Sequence, residues 1–203
     1  ESPKAITVSR QDGCAIYEWI EGAPVRAVAA GDIDAALDFA IRLQELAALA
    51  EARSLPLASE ACLSAAAVVD QIRRRIERLL AEGAEAATLK RFFDGPYAEA
   101  LDAAEERARR GYRALDLDFE AELADEGRAL SPSDFGFHNA IRKDDGTLCF
   151  IDFEYFGWDD PVKLTADFLH HPGMTLTPTL AARFADGARA RLSSDPVFRD
   201  RLS

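Results

Sequence analysis

The stretch from Ser131 to Asp160, SPSDFGFHNAIRKDDGTLCFIDFEYFGWDD, decides the fold. It sets an aspartate (Asp134), an asparagine five residues later (Asn139) and a second aspartate (Asp152) around a hairpin that turns at Asp144-Asp145-Gly146. The apolar run Leu148-Cys149-Phe150-Ile151 reads as a buried strand, and its partner falls near 140–142. Asp and Asn are ordinary turn residues, and Asp-x-x-x-x-Asn alone carries little information. Its weight comes from the strand that follows and from Ile151-Asp152-Phe153-Glu154. Together these groups match a known chemical need. Phosphoryl transfer from a nucleotide requires a carboxylate to accept the acceptor's proton and hard oxygen ligands to hold Mg²⁺ on the phosphates.

Upstream, 5–9 and 14–20 read as two strands joined across Gln11-Asp12-Gly13, where Asp-Gly is a hairpin signal. Glu21-Gly22-Ala23-Pro24 breaks the pattern. Helical spacing then runs from Asp32, the expected N-cap, to about Ala52. A second helix is expected over 60–81, closed by Gly83, with Arg73, Arg74, Arg75, Glu77 and Arg78 on a solvated face. Shorter helices follow over 86–93 and from Pro96 to about Leu115, and the acidic stretch 116–128 reads as a short helix and a loop. Downstream of the hairpin, Asp160-Pro161 is an N-cap followed by proline in the first turn. It opens a helix over 162–170 that stops at Pro172-Gly173. Helices over 178–192 and 195–202 complete the chain. Alternating βαβ units are missing, so a doubly wound parallel sheet is excluded.

The chain has 203 residues, 48% of them hydrophobic, and a net charge of −12. It holds no apolar run of about 18 residues, so no membrane span is expected. The acidity leaves no basic footprint for nucleic acid and would suit a cationic small molecule. Cys14, Cys62 and Cys149 are scattered, which suggests neither a disulfide framework nor a metal finger and points to a reducing cytoplasm. His170-His171 lack a carboxylate or thiol at ligand spacing, so no transition-metal role is expected of them. Glu1-Ser2-Pro3-Lys4 has no signal-peptide character and no initiating Met, and is expected to belong to a processed product or fragment.

The segment from Pro132 to Asn139, and that from Phe150 to Pro161, resemble the aminoglycoside phosphotransferase and choline kinase-like family. That family reads His-Gly-Asp-(x)4-Asn, an apolar strand, then Ile-Asp-Phe/Trp-Glu-x-x-Gly-x-x-Asp-Pro. The resemblance implies an α+β, predominantly helical fold: a protein-kinase-like C-terminal lobe with an inserted catalytic β-hairpin and an N-terminal β-hairpin. It implies a small-lobe remnant over 1–22 and a helical large lobe over 23–203. By the same resemblance Asp134 is the catalytic base, and Asn139 and Asp152 are ligands of Mg²⁺ on ATP or GTP. The backbone at Glu18, Trp19 and Ile20 is the hinge that recognises the base. Glu154 supports the metal shell or the catalytic loop, on the expectation that it points the same way as Asp152 along an extended segment. The phosphate acceptor is a small molecule bearing a hydroxyl, such as an aminoglycoside, choline or a sugar.

Several features depart from the pattern. The family's His and Gly before the catalytic Asp are Pro132 and Ser133 here. His138 is assigned to packing or backbone hydrogen bonding. Where the family places an Asp three residues after Asp-Pro, the chain has Leu164, and Asp167 one turn later is the stand-in anchor for the catalytic loop. No strand Lys or phosphate-covering loop precedes the first hairpin. An alternative is therefore a pseudokinase-like binding or scaffold protein without turnover. A weaker one is a hydrolase using Asp134 with Asp152 or Glu154.

Overall fold

The computed structural model describes residues 1–9, 11–82, 86–193 and 195–202. They form two compact units, 62–128 and the remainder. The expected closing residue of the second helix, Gly83, lies outside the described residues.

The first unit carries the strands. β1 (Ala5–Ser9) and β2 (Cys14–Tyr17) pair antiparallel, with Gly13 at a φ of 64° in the turn. β2 is shorter than expected, and Ile6, Val8, Ile16 and Tyr17 are exposed on this two-stranded sheet. A three-stranded sheet has the order β3 (Ala23–Pro24), β5 (Ala140–Arg142), β6 (Leu148–Phe150), all antiparallel. β3 replaces the expected break. It needs Gly22, whose φ is 155° and whose added Cβ would lie 2.4 Å from the Arg142 carbonyl. No side chain fits so close an approach of two backbones. β4 (Ala129–Ser131) pairs antiparallel with β7 (Gly157–Asp159) and so fastens the two ends of the decisive stretch together. Neither strand was expected, because three-residue strands carry no readable periodicity.

Four helices pack around these strands. α1 (Ala30–Ala47) buries Ile33, Ala36, Leu37 and Ala40, an i, i+3, i+4, i+7 stripe. Asp32 is not its N-cap as expected. It sits inside the first turn, where its Oδ2 accepts the Ala29 N–H at 2.8 Å and its Oδ1 accepts from Arg142 at 2.7 Å. The ion pair with β5 draws the carboxylate inward, which a solvent-facing cap would not allow. Gln44, later on α1, donates to the Leu130 carbonyl and accepts from the Leu130 N–H, both at 2.9 Å. It thus acts as an amide partner for the free side of β4. α5 (Pro161–His170), α6 (Pro178–Arg191) and α7 (Pro196–Arg201) match their expected extents closely. Their buried Leu164, Phe168, Phe184, Ala188 and Phe198 join Phe135, Phe137 and Phe150 in one apolar core.

Arg142 holds the Asp32 carboxyl below its ordinary value. Burial opposes the shift, and the Ala29 N–H adds to it. A depressed carboxyl contributes stability above its unfolded value, near 3.8, and loses it as pH falls through the folded value. Asp32→Asn is therefore expected to cost about 1–2 kcal/mol at pH 7, since Arg142 is partly exposed and the pair is screened. The difference from wild type in urea midpoints should shrink at pH 3. An undiminished gap at pH 3 would refute the assignment.

The second unit holds α2 (Ala65–Glu82), α3 (Ala86–Phe92) and α4 (Ala98–Ala114). α2 starts later than expected because Ser64 caps it, accepting the Ala67 N–H at 3.1 Å. Pro96 lies in a π-helical turn (Phe93–Tyr97) before α4, and the stretch 116–128 contains only the 3₁₀ turn Asp125–Gly127. Glu105 accepts from Arg73 at 2.7 Å and pairs with Arg109, whose guanidinium lies 4.0 Å over the Phe119 ring.

Candidate active site

Asp134 lies between two short elements that cannot slide: β4 before it and a 3₁₀ turn (Phe137–Asn139) after it. Phe135 and Phe137 are buried on either side of Gly136 and anchor the loop in the core. Ser133, in the place of the family's Gly, adopts a left-handed φ of 65°. Its N–H donates to the Ser131 Oγ and its hydroxyl to the Tyr155 carbonyl, which offsets the conformational cost.

Three side chains hold the Asp134 carboxylate. His171 Nε2 lies 2.7 Å and His138 Nε2 3.1 Å from Oδ1, and Asn139 Nδ2 donates to Oδ2 at 3.1 Å and to the Asp134 backbone carbonyl at 3.0 Å. The two imidazoles stack with centroids 3.9 Å apart. The Gly173 N–H donates to His171 Nδ1 at 3.0 Å, so that nitrogen carries no hydrogen and Nε2–H points at the carboxylate. His138 Nδ1 is buried with no hydrogen-bond partner, which favours the same tautomer. Burial alone would raise the Asp134 carboxyl. The bonds from His138, Asn139 and His171 outweigh it and leave the group below its ordinary value. A carboxylate offers roughly four acceptor positions. Three are filled, and one on Oδ2 remains for another donor.

His138 was expected to pack or to bond backbone, and instead bonds this carboxylate. His171 was missed. Its carboxylate partner is 37 residues away in sequence, so ligand spacing could not reveal it. The only signal was indirect: Asp160-Pro161 and Pro172-Gly173 bracket α5 and set His171 just past its C-terminus.

The Asn139 carbonyl accepts the Ile151 N–H at 2.9 Å, continuing the β5–β6 ladder by one step. Asp152 follows directly, exposed, with a left-handed φ of 66°. Because Asn139 spends its amide N–H groups on Asp134, its Oδ1 takes no hydrogen bond among the described residues. Neither does the Asp152 carboxylate. The left-handed kink and the turn closed by Phe156 N–H on the Phe153 carbonyl end the extended geometry on which the expectation for Glu154 rested. Glu154 instead lies beside Tyr155 and raises that phenol above its ordinary value.

Two further assignments need correcting. The Asp167 carboxylate binds Lys163 Nζ at 2.6 Å, and Lys163 also pairs with buried Asp159 at 3.3 Å. Burial alone would lower the Lys163 ammonium, but these two carboxylates hold it above its ordinary value. Asp167 thus steadies α5 and has no bond to the loop over 132–139 among the described residues. At the expected hinge, the Glu18 N–H donates to the Lys4 carbonyl and Glu18 Oε1 accepts the Lys4 N–H, extending the β1–β2 ladder. That N–H is not available to a nucleotide base, while Trp19 is largely exposed. A cavity of about 1040 Å³ opens in this unit beside α1, lined by Phe39, Arg42, Leu46, Phe153 and Phe156 among others. Asp134, Asn139 and Asp152 do not line it.

No protein-family model and no curated protein matches the sequence. Among solved structures, Plasmodium vivax ethanolamine kinase aligns with 98% of the chain at 13% identity and a TM-score of 0.51. An amicoumacin kinase, hAmiN, in complex with AMP-PNP and Ca²⁺ aligns with 100% of the chain at 14% identity and a TM-score of 0.47. The chain spans little more than half of each, 55% and 58%. The first likeness shows the fold. It is α+β, mostly helical and protein-kinase-like, as the stretch 131–160 led us to expect. Among the described residues no helix is long and apolar enough to cross a membrane.

Proposed function

We propose that this chain is the large-lobe part of a phosphotransferase that moves the terminal phosphoryl group of ATP or GTP to a hydroxyl of a small molecule. One observation carries the reading. Asn139 Nδ2 bonds Asp134 twice, Asn139 Oδ1 and the exposed Asp152 carboxylate accept no hydrogen bond among the described residues, and the Asn139–Ile151 ladder bond brings the backbone just before Asp152 against Asn139. An amide oxygen and an exposed carboxylate, both unengaged among the described residues, are donors suited to hard Mg²⁺. That ion would neutralise charge on the phosphates. Asp134 would use its remaining Oδ2 position to orient the acceptor's hydroxyl and receive its proton. Its lowered pKa makes it an orienting group more than a strong base. The backbone of Trp19 and Ile20 would meet the nucleotide base. The chain's negative charge suits an amine-bearing acceptor in a reducing cytoplasm.

The test is Mg²⁺-dependent binding of ATP and GTP to the natural protein that contains this chain. Saturable binding is expected, weakened at least about 100-fold by Asp152→Ala, given that even residues supporting a metal ligand shift affinity about 10–100-fold. Absence of saturable binding would favour a scaffold without turnover. Catalysis without nucleotide would favour the carboxylate-pair hydrolase.

A further inference from the structure

We infer that Asp134, His138 and His171 form a second cation site, selective for a borderline-soft divalent ion such as Zn²⁺. One oxygen or nitrogen from each lies within 4.8 Å of the others. Zn²⁺ held at about 2.0–2.1 Å by three protein atoms requires those atoms to stand about 3.3 Å apart in a tetrahedron. The two nitrogens already stand 2.7 Å and 3.1 Å from Asp134 Oδ1. Tilting the two stacked rings so that both Nε2 atoms aim at one point, with shifts of a few tenths of an ångström in their distances from Oδ1, admits the ion. Two imidazoles and one carboxylate favour Zn²⁺ over Mg²⁺, which prefers oxygen. The fourth position stays open to water.

The surroundings are built to hold this cluster. An added Cβ at Gly136 would stand 2.8 Å from His138 Nδ1, and one at Gly173 3.0 Å from both His138 Cγ and His171 Nδ1. Two glycines thus clear the space in which the rings stack. Asn139 grips the other carboxylate oxygen, Oδ2, and fixes the orientation of Asp134, as groups behind metal ligands commonly do.

The protons balance without net release. Each neutral ring gives up its Nε2 hydrogen to the ion's approach and takes one at Nδ1. His171 then loses the Gly173 bond, and His138 gains an N–H with no acceptor. These two losses set the expected affinity in the micromolar range. Under the function proposed above, an ion here would withdraw Asp134 from the acceptor's hydroxyl and oppose transfer.

Calorimetric titration of the chain with ZnCl₂, in a Cys14→Ser background that removes the exposed thiol, should show one ion per chain. His171→Ala should weaken it at least tenfold, and His170→Ala, at the neighbouring exposed histidine, should leave it unchanged. Nitrogen NMR on the chain with all three histidines intact keeps the idea testable if His171→Ala misfolds. The Nε2 signals of His138 and His171 should shift with Zn²⁺ while those of His170 do not. Binding no tighter than millimolar, or binding that needs His170 and survives loss of His171, overturns the site. The titration uses neither nucleotide nor acceptor, so it can fail while the phosphotransferase reading stands, and the reverse.

Discussion

Truncating Phe168 to alanine is expected to lower the unfolding free energy by about 3–5 kcal/mol, the range for a buried aromatic replaced by a methyl group. Phe168 is fully buried. Its ring stacks on Phe184 at 3.9 Å and meets Phe135 at 5.2 Å and Phe137 at 5.6 Å. It therefore joins α6 to the loop that carries Asp134, and the cavity left behind would border both. Phe168→Leu should cost less than half as much, because most of the volume stays filled. Urea unfolding of both variants checks the ranking. A loss below about 1 kcal/mol for Phe168→Ala would mean the core collapses around the gap and the ring is not the link described. The same variant should also free the imidazoles. Phe137 immediately precedes His138, so loosening Phe137 should weaken the 3.1 Å contact of His138 with Asp134.

How much of this was legible beforehand depends on the reach of the signal. Local chemistry read well. Asp160 caps α5 through its bond to the Val162 N–H, and Gly13 turns the first hairpin, because each signal acts over a few residues. β5 and β6 were placed because an apolar run beside a turn is a strong short-range pattern. Short strands that exist only through a distant partner did not read. β4 and β7 have three residues each, and their pairing is reinforced by Gln44 on one side and the segment near Leu57 on the other. Gly157 shows the constraint after the fact, since an added Cβ would meet Ala58 N and Pro56 O at 2.5 Å. At the candidate site, Asp134, Asn139 and Asp152 were singled out from their order along the chain. The clamp on Asp134 was not, because His171 reaches it only once α5 is docked. Asp32 and Asp167 were each given a task that their nearest cation changed: Arg142 for one, Lys163 for the other.

The same long-range logic makes Arg201 the second residue whose loss should be severe. Asp160 serves two partners at once. Its Oδ1 accepts the Val162 N–H at 2.8 Å, and its Oδ2 receives the guanidinium of Arg201 from α7. Both side chains are more than nine-tenths buried. Two ions so far from water depend on each other's charge, and removing one takes from the other part of what offsets its desolvation. Arg201→Met is therefore expected to cost about 3–5 kcal/mol, although the apolar replacement suits its surroundings. Asp160→Asn keeps a competent helix cap and takes the Asp160 carboxylate from the buried arginine, which should also be destabilising. The double variant removes both charges of the pair. It should be more stable than the sum of the two single losses predicts, by at least about 1 kcal/mol, a coupling typical of residues in direct contact. Denaturant unfolding of the four proteins in the cycle measures that coupling. Strict additivity would mean that α7 is held by Phe198 and its apolar neighbours alone, with the ion pair a bystander.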